Sequence, residues 1–148
     1  MASVSCTSQI KLEIKVESLQ EINPWIEQIW KAHHLPEPRR FDISLCLYEV
    51  VANIIMYGYD HPAGHHIHIS LSVSGNRAQI IVEDDGKRFN PLDYPEVVLP
   101  SSISEAPIGG HGIPLIRRLS DSVCYQWCEP NNKLIITNDL TVVTHDNN

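Results

Sequence analysis

Glu49 and Asn53 stand four residues apart in the string Glu49-Val-Val-Ala-Asn53, with Tyr57 four residues further on. On a helix, i, i+4, i+8 spacing sets this carboxylate, carboxamide and phenol on one side. A hard oxygen pair of that kind suits Mg²⁺, which takes few protein ligands and keeps waters and phosphate oxygens. A carboxylate beside such an ion can act as general base toward a hydroxyl or a water. The same spacing also serves the solvent stripe of an amphipathic helix, and an isolated pair is more often that. Asp84-Asp85-Gly86 ends an apolar stretch. A carboxylate at a strand end can accept from an exocyclic amine such as that of adenine, and the glycine lets a ligand approach the backbone. Asp-Gly is also a common turn dipeptide. Gly109-Gly110-His111-Gly112 opens another apolar run. Glycines ahead of a helix leave N–H groups free for phosphate, and the helix dipole favours the anion; a plain hinge is the alternative. No Gly-Lys-Ser/Thr follows, which excludes a Walker A loop, and the preceding segment is loop rather than strand, which excludes a Rossmann fingerprint. Taken in this order, the three strings read as a nucleotide site assembled from separate segments.

The elements that must position them follow from periodicity. Ile10–Val16 alternates apolar and polar residues as a half-buried strand does. Ser18 ahead of Leu19-Gln20-Glu21 has a capping-box pattern, and Leu19, Ile22, Ile26, Ile29 and Trp30 carry a helix to about His33. Pro36 and Pro38 then form a linker. Phe41 to about Tyr59 is the strongest helix; its apolar face, from Ile43 through Leu47, Val50 and Ile54, is broad enough to predict little solvent exposure. His66–Val73 and Ala78–Glu83 form a hairpin around Ser74-Gly75-Asn76, and Asp84-Asp85-Gly86 stops its second strand. Residues 87–111 carry four prolines and no periodicity; a loop of that length is usually functional. Gly112–Leu119 reads as a short helix, and Ser122–Trp127 with Lys133–Thr137 as a closing hairpin. Strands do not alternate singly with helices, which argues against a doubly wound parallel sheet. The order predicts an α+β two-layer sandwich: a mixed or antiparallel sheet of about five strands, covered on one face by three helices, in one domain over residues 1–148.

The bulk properties narrow the function. The chain has 148 residues, is 43% hydrophobic and carries a net charge of -7. That suits a real core and argues against a general nucleic-acid binder, which needs a basic stripe. No apolar run is long enough for a bilayer and no signal-peptide pattern opens the chain, so the expected compartment is the cytosol, with no membrane. Cys6, Cys46, Cys124 and Cys128 lack metal-ligand spacing and read as free, buried or semi-buried thiols. Of the eight histidines, His66 and His68 share a strand face, but surface or turn roles fit them better than a metal site. Trp25 and Trp30 read as packing residues rather than an interface.

The three strings, in this order and at these intervals, resemble the GHKL (Bergerat-fold) ATPases. Glu49…Asn53 resembles the N box of that superfamily, Asp84-x-Gly86 its first glycine box, and Gly110-x-Gly112 its second. Nearly the whole chain is similar to the short anti-sigma-factor serine/threonine kinases, above all in YEVVANIIMYGYDHP, VEDDGKRFNPLDYP and APIGGHGIPLIRRL. The resemblance implies ATP and Mg²⁺ as cofactors. It implies that Asn53 binds Mg²⁺ and so the phosphates, that Glu49 is the general base, that Asp84 bonds the adenine amino group, and that Gly86 gives the nucleotide room. Gly109, Gly110, His111 and Gly112 would form the lid hinge and its phosphate contacts. The implied partners are a small anti-anti-sigma-factor (STAS-type) protein as phosphoacceptor, a sigma factor to be sequestered, and a second copy in a homodimer. The chain departs from the family at Arg88, where the first glycine box has its second glycine. A catalytically inactive ATP-binding module that sequesters a partner is the alternative, and a scaffold without nucleotide a third.

Overall fold

A computed structural model describes residues 5–93 and 112–141. The element order is β1 (Ser5–Glu13), α1 (Ile22–His33), α2 (Arg40–Tyr57), β2 (His66–Ser74), β3 (Arg77–Asp84), α3 (Gly112–Leu119), β4 (Ser122–Cys128) and β5 (Asn131–Asp139), with short 3-10 turns at Val16–Glu21, Glu37–Arg39 and Pro91–Asp93. The strands form one five-stranded sheet in the order β1-β2-β3-β5-β4, and every neighbouring pair is antiparallel. The α+β architecture expected from the sequence is the one observed.

Side chains alternate across a strand, so each strand sends one set inward. Leu12, then Ile67, Ile69, Leu71 and Val73, then Ala78, Ile80 and Val82, then Leu134 and Ile136, are buried under the helices. The intervening positions, such as Lys11, His68, Gln79 and Gln126, lie on the exposed or half-exposed opposite face. From the helical layer, α1 contributes Ile22, Ile26, Ile29 and Trp30, and α2 contributes Ile43, Cys46, Leu47, Val50 and Val51. α2 packs against both α1 and α3, which makes it the central helix. Trp30 is buried, and its indole N–H donates to the Pro36 carbonyl at 2.7 Å, which fixes the turn after α1; Trp25 packs partly buried against the same core. Both tryptophans are packing residues.

Three details differ from the sequence reading. β1 spans Ser5–Glu13, and only Ile14 continues inward before a 3-10 turn takes over, so Val16 is exposed. No capping box forms at Ser18: it sits inside that turn, fully buried, with its hydroxyl unpartnered, and α1 begins at Ile22 without a side-chain cap. The broad apolar face of α2 is not fully covered, because Phe41 remains 71% exposed and Tyr48 and Met56 43% each. The neighbouring helices cover only part of the circumference of α2. Of the four cysteines, Cys46 is buried and Cys6 half-buried, as expected, but Cys124 and Cys128 are exposed, because they fall on the outer face of strand β4 at the sheet edge. No helix among the described residues is long and apolar enough to cross a membrane.

Candidate functional site

The N-terminal string sits in the second half of α2. Glu49 and Asn53 are both half-buried, and among the described residues neither side chain has a hydrogen-bond or ion-pair partner. The apolar positions around them, Cys46, Val50 and Val51, face the core, so the pair lies at the border between core and surface. Glu49 and Asp42 add to the burial that pushes the Cys46 thiol up to about 12, which leaves it inert. A partly buried carboxylate and carboxamide without protein partners are poised to bond a ligand.

The second string is built at the end of β3. Asp84 points inward and is only 6% exposed. Its Oδ1 accepts from the Gly86 backbone N–H at 2.8 Å and from the Asn132 carboxamide at 3.1 Å, while Oδ2 has no hydrogen-bond partner among the described residues. Burial pushes its pKa up, and the two donors partly offset that shift. The result is a held carboxylate with one oxygen available, the form needed to accept from an amine.

Asn132 organises this end of the site, and the sequence reading did not single it out. Its strand β5 pairs with β3 so that Asn132 lies opposite Asp84. Besides Asp84, its amide donates to the Lys87 carbonyl at 2.9 Å, and its carbonyl oxygen accepts from the Phe89 N–H at 2.9 Å and the Tyr125 hydroxyl at 2.7 Å. One buried side chain therefore fixes Asp84, the turn after it and β4 together. The available signal was faint: an Asn within a strand, where Asn is disfavoured unless it has such work.

Gly86 serves the protein as well as any ligand. A Cβ there would come within 2.7 Å of the Gly58 carbonyl oxygen and 3.0 Å of both Asp84 Oδ1 and the Tyr59 ring. Only glycine lets the turn close onto the end of α2, where the Lys87 N–H donates to the Gly58 carbonyl at 2.9 Å. That junction is five residues past Asn53, about 7 Å along the helix axis. The two strings are thus brought to one end of the molecule. Asp85, facing away from Asp84, ties the junction from the other side. It accepts from the Tyr59 hydroxyl at 2.7 Å and lies 3.0 Å from the His65 imidazole. The Tyr59 hydroxyl, and less strongly His65, hold the Asp85 carboxyl below its ordinary range. Burial and this carboxylate push the Tyr59 phenol upward.

Of the third string, Gly109, Gly110 and His111 lie outside the described residues, and Gly112 is the first residue of α3. The flanks of that segment meet: Arg117 on α3 donates to the Leu92 carbonyl at 2.8 Å. At the departure from the glycine-box pattern, the Arg88 guanidinium lies over the Trp127 ring of β4, 5.1 Å from its centre. Among the described residues no cluster of three His, Cys, Asp or Glu could hold a metal, so a cation here would rely on fewer protein oxygens.

Residues 12–138 match the histidine kinase-like ATPase domain family. The chain is 27% identical over 135 residues to the serine/threonine-protein kinase BtrW of Bordetella bronchiseptica, covering 90% of this chain and 94% of that protein. It is also 27% identical over 82 residues to the anti-sigma F factor of Oceanobacillus iheyensis, covering 55% of this chain and 56% of the relative. Among solved structures, the RsbU and RsbW domains of Rv1364c from Mycobacterium tuberculosis superpose with a TM-score of 0.66 at 12% identity, covering 91% of this chain and 32% of that one. A likeness of that identity speaks for the fold. The family match joins with an antiparallel sheet under helices and a carboxylate held at the end of its third strand: the chain belongs to the histidine kinase-like ATPase domain family, the GHKL or Bergerat-fold group.

Proposed function

We propose that this protein binds Mg-ATP between α2 and the Asp84–Gly86 turn and transfers the γ-phosphoryl group to a serine or threonine of a partner protein. The observation that carries the reading is the half-buried Glu49–Asn53 pair, without a hydrogen-bond or ion-pair partner among the described residues and set on the helix against which the Asp84 turn docks. Asp84 Oδ2 accepts from the adenine amino group. Asn53 would hold Mg²⁺, which would supply neutralisation of the phosphate charge. Glu49 takes the proton of the acceptor hydroxyl as its oxygen bonds to the γ-phosphorus and the bond to the ADP oxygen breaks. The glycines 109, 110 and 112 close the phosphate end. Exposed Phe41, Tyr48 and Met56 run along α2 beside Glu49, a surface suited to a protein acceptor rather than a small one. The relatives named as a serine/threonine kinase and an anti-sigma factor favour a STAS-type anti-anti-sigma protein as acceptor and a sigma factor as the sequestered partner.

The test is γ-labelled ATP with candidate acceptors and Glu49→Gln beside the unaltered protein. The expected result is label on the acceptor, lost in Glu49→Gln while ATP affinity is kept. Transfer at the normal rate by Glu49→Gln would overturn the assigned base. Arg88 in place of a glycine favours a second reading, ATP-gated sequestration without transfer, which predicts a tight complex and no label.

A further inference from the structure

Asp84, Asn132 and Trp127 stand in one cross-strand row: Asn132 is opposite Asp84 across β3 and β5, and opposite Trp127 across β5 and β4. The chain that leaves the Asp84–Gly86 turn crosses this row. Its Lys87 carbonyl accepts from the Asn132 amide at 2.9 Å, and its Phe89 N–H donates to the Asn132 carbonyl oxygen at 2.9 Å. Between them the Arg88 guanidinium lies over the Trp127 ring. The Pro91–Asp93 turn that follows rests against β4. The same cation acts on Tyr125, whose phenol burial raises and Arg88 draws back. Arg88 is exposed and Trp127 half-buried, so the stack sits at the surface of the site rather than in the core.

These contacts close into a ring, and what the ring sets is the orientation of one amide. An Asn side chain has a donor end and an acceptor end, and a half-turn about its last bond exchanges them. At Asn132 the oxygen faces two donors, the Phe89 N–H and the Tyr125 hydroxyl. The nitrogen faces two acceptors, the Lys87 carbonyl and Asp84 Oδ1. Two of those four partners belong to the backbone on either side of Arg88. Reversed, the amide would set its oxygen against the Asp84 carboxylate and its nitrogen against the Phe89 N–H. We propose that Arg88 is a positioning residue for the nucleotide base: by stacking on Trp127 it holds the Lys87–Phe89 backbone on Asn132, which keeps the Asn132 nitrogen on Asp84 Oδ1 and leaves Asp84 Oδ2 for the adenine amino group. The inference rests on the Mg-ATP reading above. Where the glycine-box pattern has a flexible glycine, this chain has a side-chain anchor instead. An exposed cation–π stack contributes a factor of about two to five, which sets the size of the effect.

The experiment compares the full chain with Arg88→Gln, which removes the cation, Arg88→Lys, which keeps it, and Trp127→Leu, which removes the ring. Without nucleotide, heteronuclear NMR follows the Asn132 side-chain amide. A sharp, slowly exchanging signal is expected in the parent and Arg88→Lys, and a broadened one in Arg88→Gln and Trp127→Leu. Calorimetry with Mg-ATP is expected to give a Kd raised about two- to fivefold in Arg88→Gln and in Trp127→Leu, and no further in the double variant, because both lose the same contact. GTP affinity stays that of the parent, since the loss lies at the adenine end, and KM for ATP rises with kcat kept. A lowered melting temperature with the amide signal and ATP affinity of the parent marks a merely structural stack and overturns the proposal. Equal losses for ATP and GTP overturn it too, because Arg88 would then act as a cation on the phosphates. A parent that binds no ATP overturns the nucleotide reading and this inference with it, whereas ATP binding by Arg88→Gln as tight as the parent's overturns this inference alone.

Discussion

Asp84 and Asp85 are neighbours with opposite electrostatics. Burial raises the pKa of Asp84, whereas the Tyr59 hydroxyl and then His65 lower that of Asp85. A lowered carboxyl contributes stability above its unfolded value, about 3.9 for Asp, and loses it as pH falls through the folded value. A raised one does the reverse: its charge costs stability as pH rises toward and past the folded value. Denaturant titrations should therefore find Asp85→Asn less stable than the parent at neutral pH and the two converging as the pH falls below the ordinary Asp value of about 3.9. Asp84→Asn should be at least as stable as the parent at neutral pH while losing roughly tenfold or more in adenine-nucleotide affinity, since a hydrogen bond to a charged group contributes about 1.5–3 kcal/mol. Isothermal titration with ATP and GTP checks the second outcome; equal loss for both bases would detach Asp84 from adenine.

Elements meet at the junction of α2, the Asp84 turn and β5. Two residues hold it by different means: Gly86 by being small enough for the Gly58 carbonyl, and Asn132 by bonding Asp84, Lys87, Phe89 and Tyr125 at once. Asn132→Ala removes one acceptor shared by the Phe89 N–H and the Tyr125 hydroxyl and one of the donors that hold Asp84. A loss of about 1–3 kcal/mol in unfolding free energy is expected, with weaker ATP binding, read by denaturant melts and calorimetry. Gly86→Ala should lower both together, because the turn can accept a methyl only by lifting off α2. If ATP affinity fell with stability unchanged, the glycine would be serving the nucleotide alone.

At the scale of the molecule, ligand binding to the native state adds stability by mass action. Mg-ATP at a hundred times its dissociation constant should stabilise the fold by about 2.7 kcal/mol, visible as a rise in melting temperature; no shift at saturating Mg-ATP would sink the nucleotide reading. Tyr48→Ala should raise KM for the protein acceptor and leave the ATP-induced shift intact, because Tyr48 is exposed on α2 beside the site rather than packed in the core. The periodicities of two and 3.6 were enough to find five strands and three helices, since each must bury one face, and they placed Glu49, Asn53, Asp84 and Gly86 on the elements that carry them. Local pattern failed at Ser18, where a capping string lies in a buried 3-10 turn, and at the face of α2 carrying Phe41, Tyr48 and Met56, which stays exposed among the described residues. It did not single out Asn132, whose partners include Phe89 and Asp84, 43 and 48 residues away. The sequence by itself determined which residues could do the chemistry, because residue type and helical or strand spacing are local properties. The tertiary structure alone decided which of Asp84's oxygens is held by Gly86 and Asn132 and why Gly86 cannot be larger, because each depends on contacts between segments far apart in the chain.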